Sequence, residues 1–281
     1  MADTYSVLAR DPTSVAAAQA ARAIAKVTGE VAFDLTRKLR DRAGGVLVSG
    51  LEKARADRVV GALSQAGVGA FALADADRVE FPGHVYLETA RLGDEDLIVS
   101  DLRDANYKPT GSARVPYDDI VLLVCAAVRF THEKRVVDPS AERRLPGSHP
   151  WGPTGMFGDT LRSRRRYLQA DDYVPVKRTE TRHEDRHLLD LFAVEPAHHL
   201  RLDATRFNFI QTGLTMQPTS VLNLIEVIKR LAPRCSRAFA DPSIHHILDG
   251  NPLSNLRFTS PDQYDAYLDW RVQVLYHPQD E

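Results

Sequence analysis

Nine consecutive apolar residues, Ile120 to Val128, set the first limit on this chain. A run of that length, opened by two β-branched residues, fits a strand covered on both faces. It is well short of the roughly 20 residues that a membrane-spanning helix needs. The chain must therefore wrap other elements around at least one buried strand. With 281 residues, 43% of them hydrophobic, it has the apolar material for two cores. Met1 to Tyr5 shows no basic segment leading into an apolar one, so no secretory signal is expected and the chain reads as cytoplasmic. Cys125 and Cys235 lie in or beside apolar stretches and are expected as buried, reduced thiols.

Residues 1–80 read as a small βααβαβ domain. Tyr5–Ala9 is a strand, closed by the Asp11-Pro12 turn. An Ala-rich helix follows, with Ser14 as its cap and Ala20, Ile24 and Val27 on its inner face. After Thr28-Gly29 a second helix begins near Glu30, with Val31, Leu35 and Leu39 on one face. Gly44-Gly45 stops it, and Val46–Val48 is a strand that turns at Ser49-Gly50. Leu51–Ala66 is a third helix with Ala56, Val59, Val60 and Leu63 inward, and Gly67 sits as its C′ glycine. Phe71–Leu73 is the closing strand.

From residue 81 the texture becomes β. Strands are expected at 84–90 and 96–100 around a Gly93-Asp94 turn, then at 112–116, 120–128, 188–194 and 199–203, with Phe207 to Phe209 continuing the theme. The alternation His199-Leu200-Arg201-Leu202-Asp203 reads as a strand with one face in solvent. A helix capped at Thr219 or Ser220 and ending at Leu231 closes this second domain, residues 81–235. Residues 131–177, rich in Pro, Gly and charge, read as a long loop insertion. Residues 236–281 form a helical extension. Its Ser260-Pro261-Asp262-Gln263 start supplies an N-cap, a proline at N1 and a glutamine at N3, and the extension is expected to pack on the β domain. The fold class is α+β: a small βααβαβ domain, then an antiparallel β-barrel or sheet closed by a C-terminal helix.

Two resemblances follow from these patterns. The βααβαβ order, with Thr28-Gly29 between two helices and Ala66-Gly67 before the last strand, resembles the C-terminal domain of the ribosomal stalk protein L7/L12. The adaptor that feeds substrates to the Clp protease shares that topology. The resemblance implies a protein-docking module. The stalk family's Gly-Leu-Lys-Glu-Ala-Lys run, which meets translation factors, is replaced here by Glu30-Val31-Ala32-Phe33-Asp34-Leu35, so the ribosomal role is not implied. The strands followed by one amphipathic helix, with the Tyr117-Asp118-Asp119-Ile120 step, resemble a bacterial pleckstrin-homology-like domain. The first strand turn, Gly93-Asp94-Glu95-Asp96, is acidic, which disfavours lipid headgroups there.

The functional expectation is a non-enzymatic interaction or adaptor protein. Its expected contact residues are Arg37, Lys38, Arg40 and Arg42 on the second helix, and Arg162, Arg164, Arg165, Arg166 and Tyr167 in the insertion. A protein partner is expected; an arginine run beside a tyrosine also suits RNA. Yet 36 basic against 38 acidic side chains give no global basic excess. Self-assembly into a homo-oligomer is a further reading. His183-Glu184-Asp185-Arg186-His187 is a literal H-E-x-x-H, the zinc-hydrolase pattern, with His183 and His187 as ligands and Glu184 activating water. Its charged x positions and the strand-like residues after it oppose a buried helix. On a strand the two imidazoles would stand roughly 13 Å apart. No metal and no cofactor are otherwise expected, and no nucleotide-binding glycine loop or nucleophile elbow is present.

Overall fold

The structure is a computed structural model that describes residues 3–11, 16–41, 45–144, 173–194, 197–253 and 257–277. Eleven strands and six α-helices are present among them: β1 Tyr5–Ala9, α1 Ala17–Thr28, α2 Ala32–Asp41, β2 Val46–Leu51, α3 Lys53–Gln65 and β3 Ala70–Ala74 come first. Then follow β4 Val85–Leu92, β5 Asp96–Arg103, β6 Pro109–Pro116, β7 Ile120–Arg144, β8 Tyr173–Val194 and β9 Ala197–Asp203. The chain ends with α4 Ser220–Leu231, β10 Phe239–Ala240, α5 Pro242–Leu248, β11 Arg257–Phe258 and α6 Pro261–Tyr276. The α+β class holds. No helix among the described residues is long and apolar enough to cross a membrane.

The chain divides into two compact units, Met1–Phe130 with Asp185–Glu281, and Thr131–Glu184. In the first, β1 to β3 form a three-stranded antiparallel sheet in the order β2-β1-β3. Helices α1 and α3 cover one face of it, with Ala20, Ile24, Ala56, Val59 and Leu63 buried together. Gly67 takes a φ of 73°, the left-handed conformation a C′ glycine supplies without strain. Three details depart from expectation. Ala16 is the N-cap of α1 and makes no side-chain cap, while Ser14 lies outside the described residues. Val31 precedes α2 and is exposed. Residues 49–51 belong to β2, and Gly50 absorbs the local bend with a φ of 72°.

The larger sheet has eight strands in the order β10-β7-β8-β9-β4-β5-β6, with β11 also on β7. It is open, not a closed barrel, and it is mixed. Pairs β4–β5, β5–β6 and β8–β9 are antiparallel, whereas β4–β9, β10–β7 and β11–β7 are parallel. Residues 120–128 form the expected buried strand, and Ile120, Leu122, Val124, Ala126 and Val128 are fully covered. Helix α4 packs Leu224, Val227, Ile228 and Leu231 against one side of the sheet, and Thr219 Oγ1 caps it by accepting from Leu222 N. Phe209–Thr212 is a 3₁₀ turn, not a strand, because the Asn208 side chain accepts from Ile210 N and starts it.

Helix α6 lies between the two sheets of the first unit. Ser260 Oγ accepts from Gln263 N, and Gln263 Oε1 in turn accepts from Thr259, which completes the cap. Tyr264, Leu268 and Val272 pack on β7 and β8. Trp270 turns the other way to join Leu8 and Leu73 of the small sheet, where its indole N–H donates to Ala9 O at 2.7 Å. The extension therefore docks on both sheets, because α6 carries apolar side chains around most of its circumference.

In the second unit, residues 131–144 and 173–184 are strand, so part of the expected loop is regular structure. Residues 131–135 and 181–183 are exposed. A strand with solvent on both faces needs no hydrophobic alternation, which removes the periodic signal.

Candidate functional site

Two places gather chemistry: the α1–α2 corner, and a cleft between α6, the 79–84 segment and the large sheet. The corner begins at Gly29, whose φ of 76° closes α1. Leu35 of α2 is buried at 3% exposure, which fixes that helix's inner face. The opposite consequence is that Phe33 projects outward at 76% exposure, beside Val31 at 62%. Arg37 follows Phe33 by four residues on the same face of α2 and is exposed. Lys38 and Arg40 lie on α2, with side chains that are not described, and Arg42 is outside the described residues. Arg162, Arg164, Arg165, Arg166 and Tyr167 also lie outside them.

The cleft is built on the β8–β9 hairpin. Its register sets Asp190 opposite Arg201 and Phe192 opposite His199. Sequence reasoning gives His199, Arg201 and Asp203 a solvent face; the structure buries all three, at 9%, 2% and 2% exposure. Helix α6 covers Arg201 and borders His199, whereas Asp203 is enclosed by Arg186, Thr205 and Arg206. Asp190, with no exposure, accepts from His199 Nε2 at 2.6 Å, Arg201 Nε at 2.8 Å and Tyr264 Oη at 2.7 Å. Arg201 Nη2 continues to Asp265 at 2.8 Å, and its Nη1 faces His84 Nε2 at 3.4 Å. Burial by itself would raise the Asp190 carboxyl, but Arg201, His199 and Tyr264 outweigh it and hold Asp190 well below the usual carboxylate range. Burial and the Arg201 guanidinium push His84 down to about 4, so its imidazole is neutral near pH 7.

Above this network lies a cleft with a volume of about 220 Å³. Leu268, Asp269 and Val272 with Asp265 form its α6 wall, at helical spacing. Val79, Phe81 and Pro82 form the facing wall. Gln273 fixes that wall by accepting from Val79 N at 3.0 Å and donating to Val79 O at 2.8 Å, and Arg78 pairs with Asp269. Phe192, His199 and His84 line the remaining side; the first two rings stack at 4.1 Å between centroids. A local sequence cue was available here: an aspartate interrupting Leu188-Leu189-Asp190-Leu191-Phe192 lacks any apolar rationale. Its partners come from residues 199, 201 and 264, which no local pattern links to it.

The H-E-x-x-H residues fall on β8, an extended segment. His183 Nδ1 meets Thr131 Oγ1 at 3.2 Å, and Glu184 lies 3.4 Å from His132 Nε2. Asp185 is engaged by Arg129 and Arg257. The helical turn that would bring two histidines to one zinc is absent from this segment, and among the described residues no group of three His, Cys, Asp or Glu side chains could hold a metal. His199, expected at the surface, is instead buried in the Asp190 network. Cys125 and Cys235 are buried free thiols, and burial pushes the Cys235 thiol up to about 12. Comparison with family models, curated proteins and solved structures finds no match.

Proposed function

We propose that this chain is a non-enzymatic interaction protein that docks another protein at the α1–α2 corner, with the larger sheet as its platform. The observation that carries this reading is Phe33 at 76% exposure, flanked by Val31 and followed on the same face by Arg37. An exposed aromatic beside a cation is the composition of an interface centre, not of ordinary solvated surface. The complementary partner surface is an apolar pocket with an acidic rim, since Arg37 would meet it at the edge. By the resemblance of the βααβαβ unit to the stalk domain, this corner corresponds to the segment that family uses for factor contact.

The test is affinity capture from the native lysate, with quantitative mass spectrometry of wild type, Phe33→Glu, Arg37→Glu and, as a control, Ile210→Ser at another exposed apolar position. A protein lost with the first two variants and kept by the control supports the reading. A partner set unaffected by Phe33→Glu removes the corner from it.

A further inference from the structure

We propose that the cleft between α6, the 79–84 segment and the β8–β9 hairpin is a binding site for a small aromatic amine in its ammonium form. This inference is independent of the docking corner. Three features of the cleft select that ligand class. First, its walls are largely apolar and partly aromatic: Phe81 meets Phe192 edge-on at 5.1 Å, and Phe192 stacks on His199. Such walls favour a flat ring placed against them.

Second, carboxylates outnumber guanidinium groups. Asp190, Asp265 and Asp269 share two guanidinium groups, Arg201 and Arg78; His199 also donates to the buried Asp190, and His84 is neutral. Asp265 and Asp269 stand one helical turn apart on the α6 wall, with side chains 48% and 45% exposed. They can accept from an ammonium at the rim while each keeps its arginine. A carboxylate or phosphate ligand would instead meet net repulsion.

Third, the histidines are set by the network below. Asp190 accepts from His199 Nε2, which leaves the other ring nitrogen for a second partner. Arg201 donates to His84 Nε2, so the His84 proton sits on Nδ1. Both rings are held in place, 5.5 Å apart between centroids. A ligand therefore meets a preformed surface and not one that it must order. The Asp190–Arg201 pair fixes the hairpin face of the cleft, and the Gln273 clamp on Val79 fixes its opposite wall.

The experiment titrates the full-length protein with tryptamine, following binding by calorimetry and by the His84 and His199 side-chain NMR resonances. Indole-3-propionate, of similar shape and opposite charge, is titrated in parallel. Saturable tryptamine binding that moves both imidazole signals is expected, with indole-3-propionate at least about tenfold weaker. Asp269→Asn, at a half-exposed position, should weaken tryptamine about tenfold in a protein that keeps a native circular dichroism spectrum. Leu268→Trp, which fills the cleft, should abolish binding. Absence of saturable tryptamine binding overturns the proposal. So does binding that leaves His84 and His199 unmoved, or that survives Leu268→Trp in a protein with a native circular dichroism spectrum. Equal affinity for the two indoles overturns the charge assignment.

Discussion

Replacing Arg201 with Met tests whether the Asp190 network is the buried anchor between the large sheet and α6. Arg201 is 2% exposed and donates to Asp190, which has no exposure, at 2.8 Å. At that separation the gross attraction is about 6 kcal/mol for an effective dielectric near 20. Desolvation of both ions offsets much of it, so the pair itself contributes little relative to well-packed apolar residues. Removing only the arginine is different. It strands a carboxylate that Tyr264 and His199 cannot neutralise alone, at a cost of about 3–5 kcal/mol. With a urea m-value of about 3 kcal/mol/M, the midpoint of unfolding should fall by about 1–1.7 M at pH 7. The paired replacement Asp190→Leu with Arg201→Met should recover most of that loss.

The pH dependence follows from the same pair. Without Arg201, burial dominates and the Asp190 pKa rises above its unfolded value. The folded variant then binds more protons than its unfolded chain below that new pKa, so the deficit narrows as pH falls from 7 towards 5. A midpoint shift under about 0.3 M at pH 7, or a deficit that does not change with pH, would refute the buried-anchor argument.

Three further outcomes are expected. Phe33→Glu removes exposed surface only and should change stability by less than about 0.5 kcal/mol in a urea melt; a larger loss would mean that Phe33 packs in the fold. Gly45→Ala should cost about 1–3 kcal/mol in thermal unfolding, because a Cβ at Gly45 overlaps the Trp270 indole and must displace α6; an unchanged melting temperature would contradict that contact. Stability should rise with pH between about 4 and 6.5, because His84 is neutral when folded and protonated when unfolded across that window. Its partial exposure limits the effect to about 1–2 kcal/mol, and His187, shifted down by burial, acts in the same direction. His84→Gln, which keeps an acceptor for Arg201, should flatten that slope, and an unaltered slope would assign it elsewhere.

The sequence by itself determined the local elements. The phases of Ile24, Val59 and Leu63 placed α1 and α3, and the Ser260 and Thr219 caps and the Gly67 stop marked helix ends. The uninterrupted run 120–128 declared a strand with two covered faces. Those signals are carried within a few residues, so they survive without knowledge of the partners. What covers a face is a different matter. The alternation at 199–203 gives a polar side, and only the arrival of Tyr264 and Asp265 from α6 turns that side into a buried ion network. The open sheet, its parallel pairs with β9, β10 and β11, and the outward turn of Phe33 likewise depend on packing between elements distant in the chain. Periodicity reports which residues share a face; the free energy of the whole assembly decides which faces meet water.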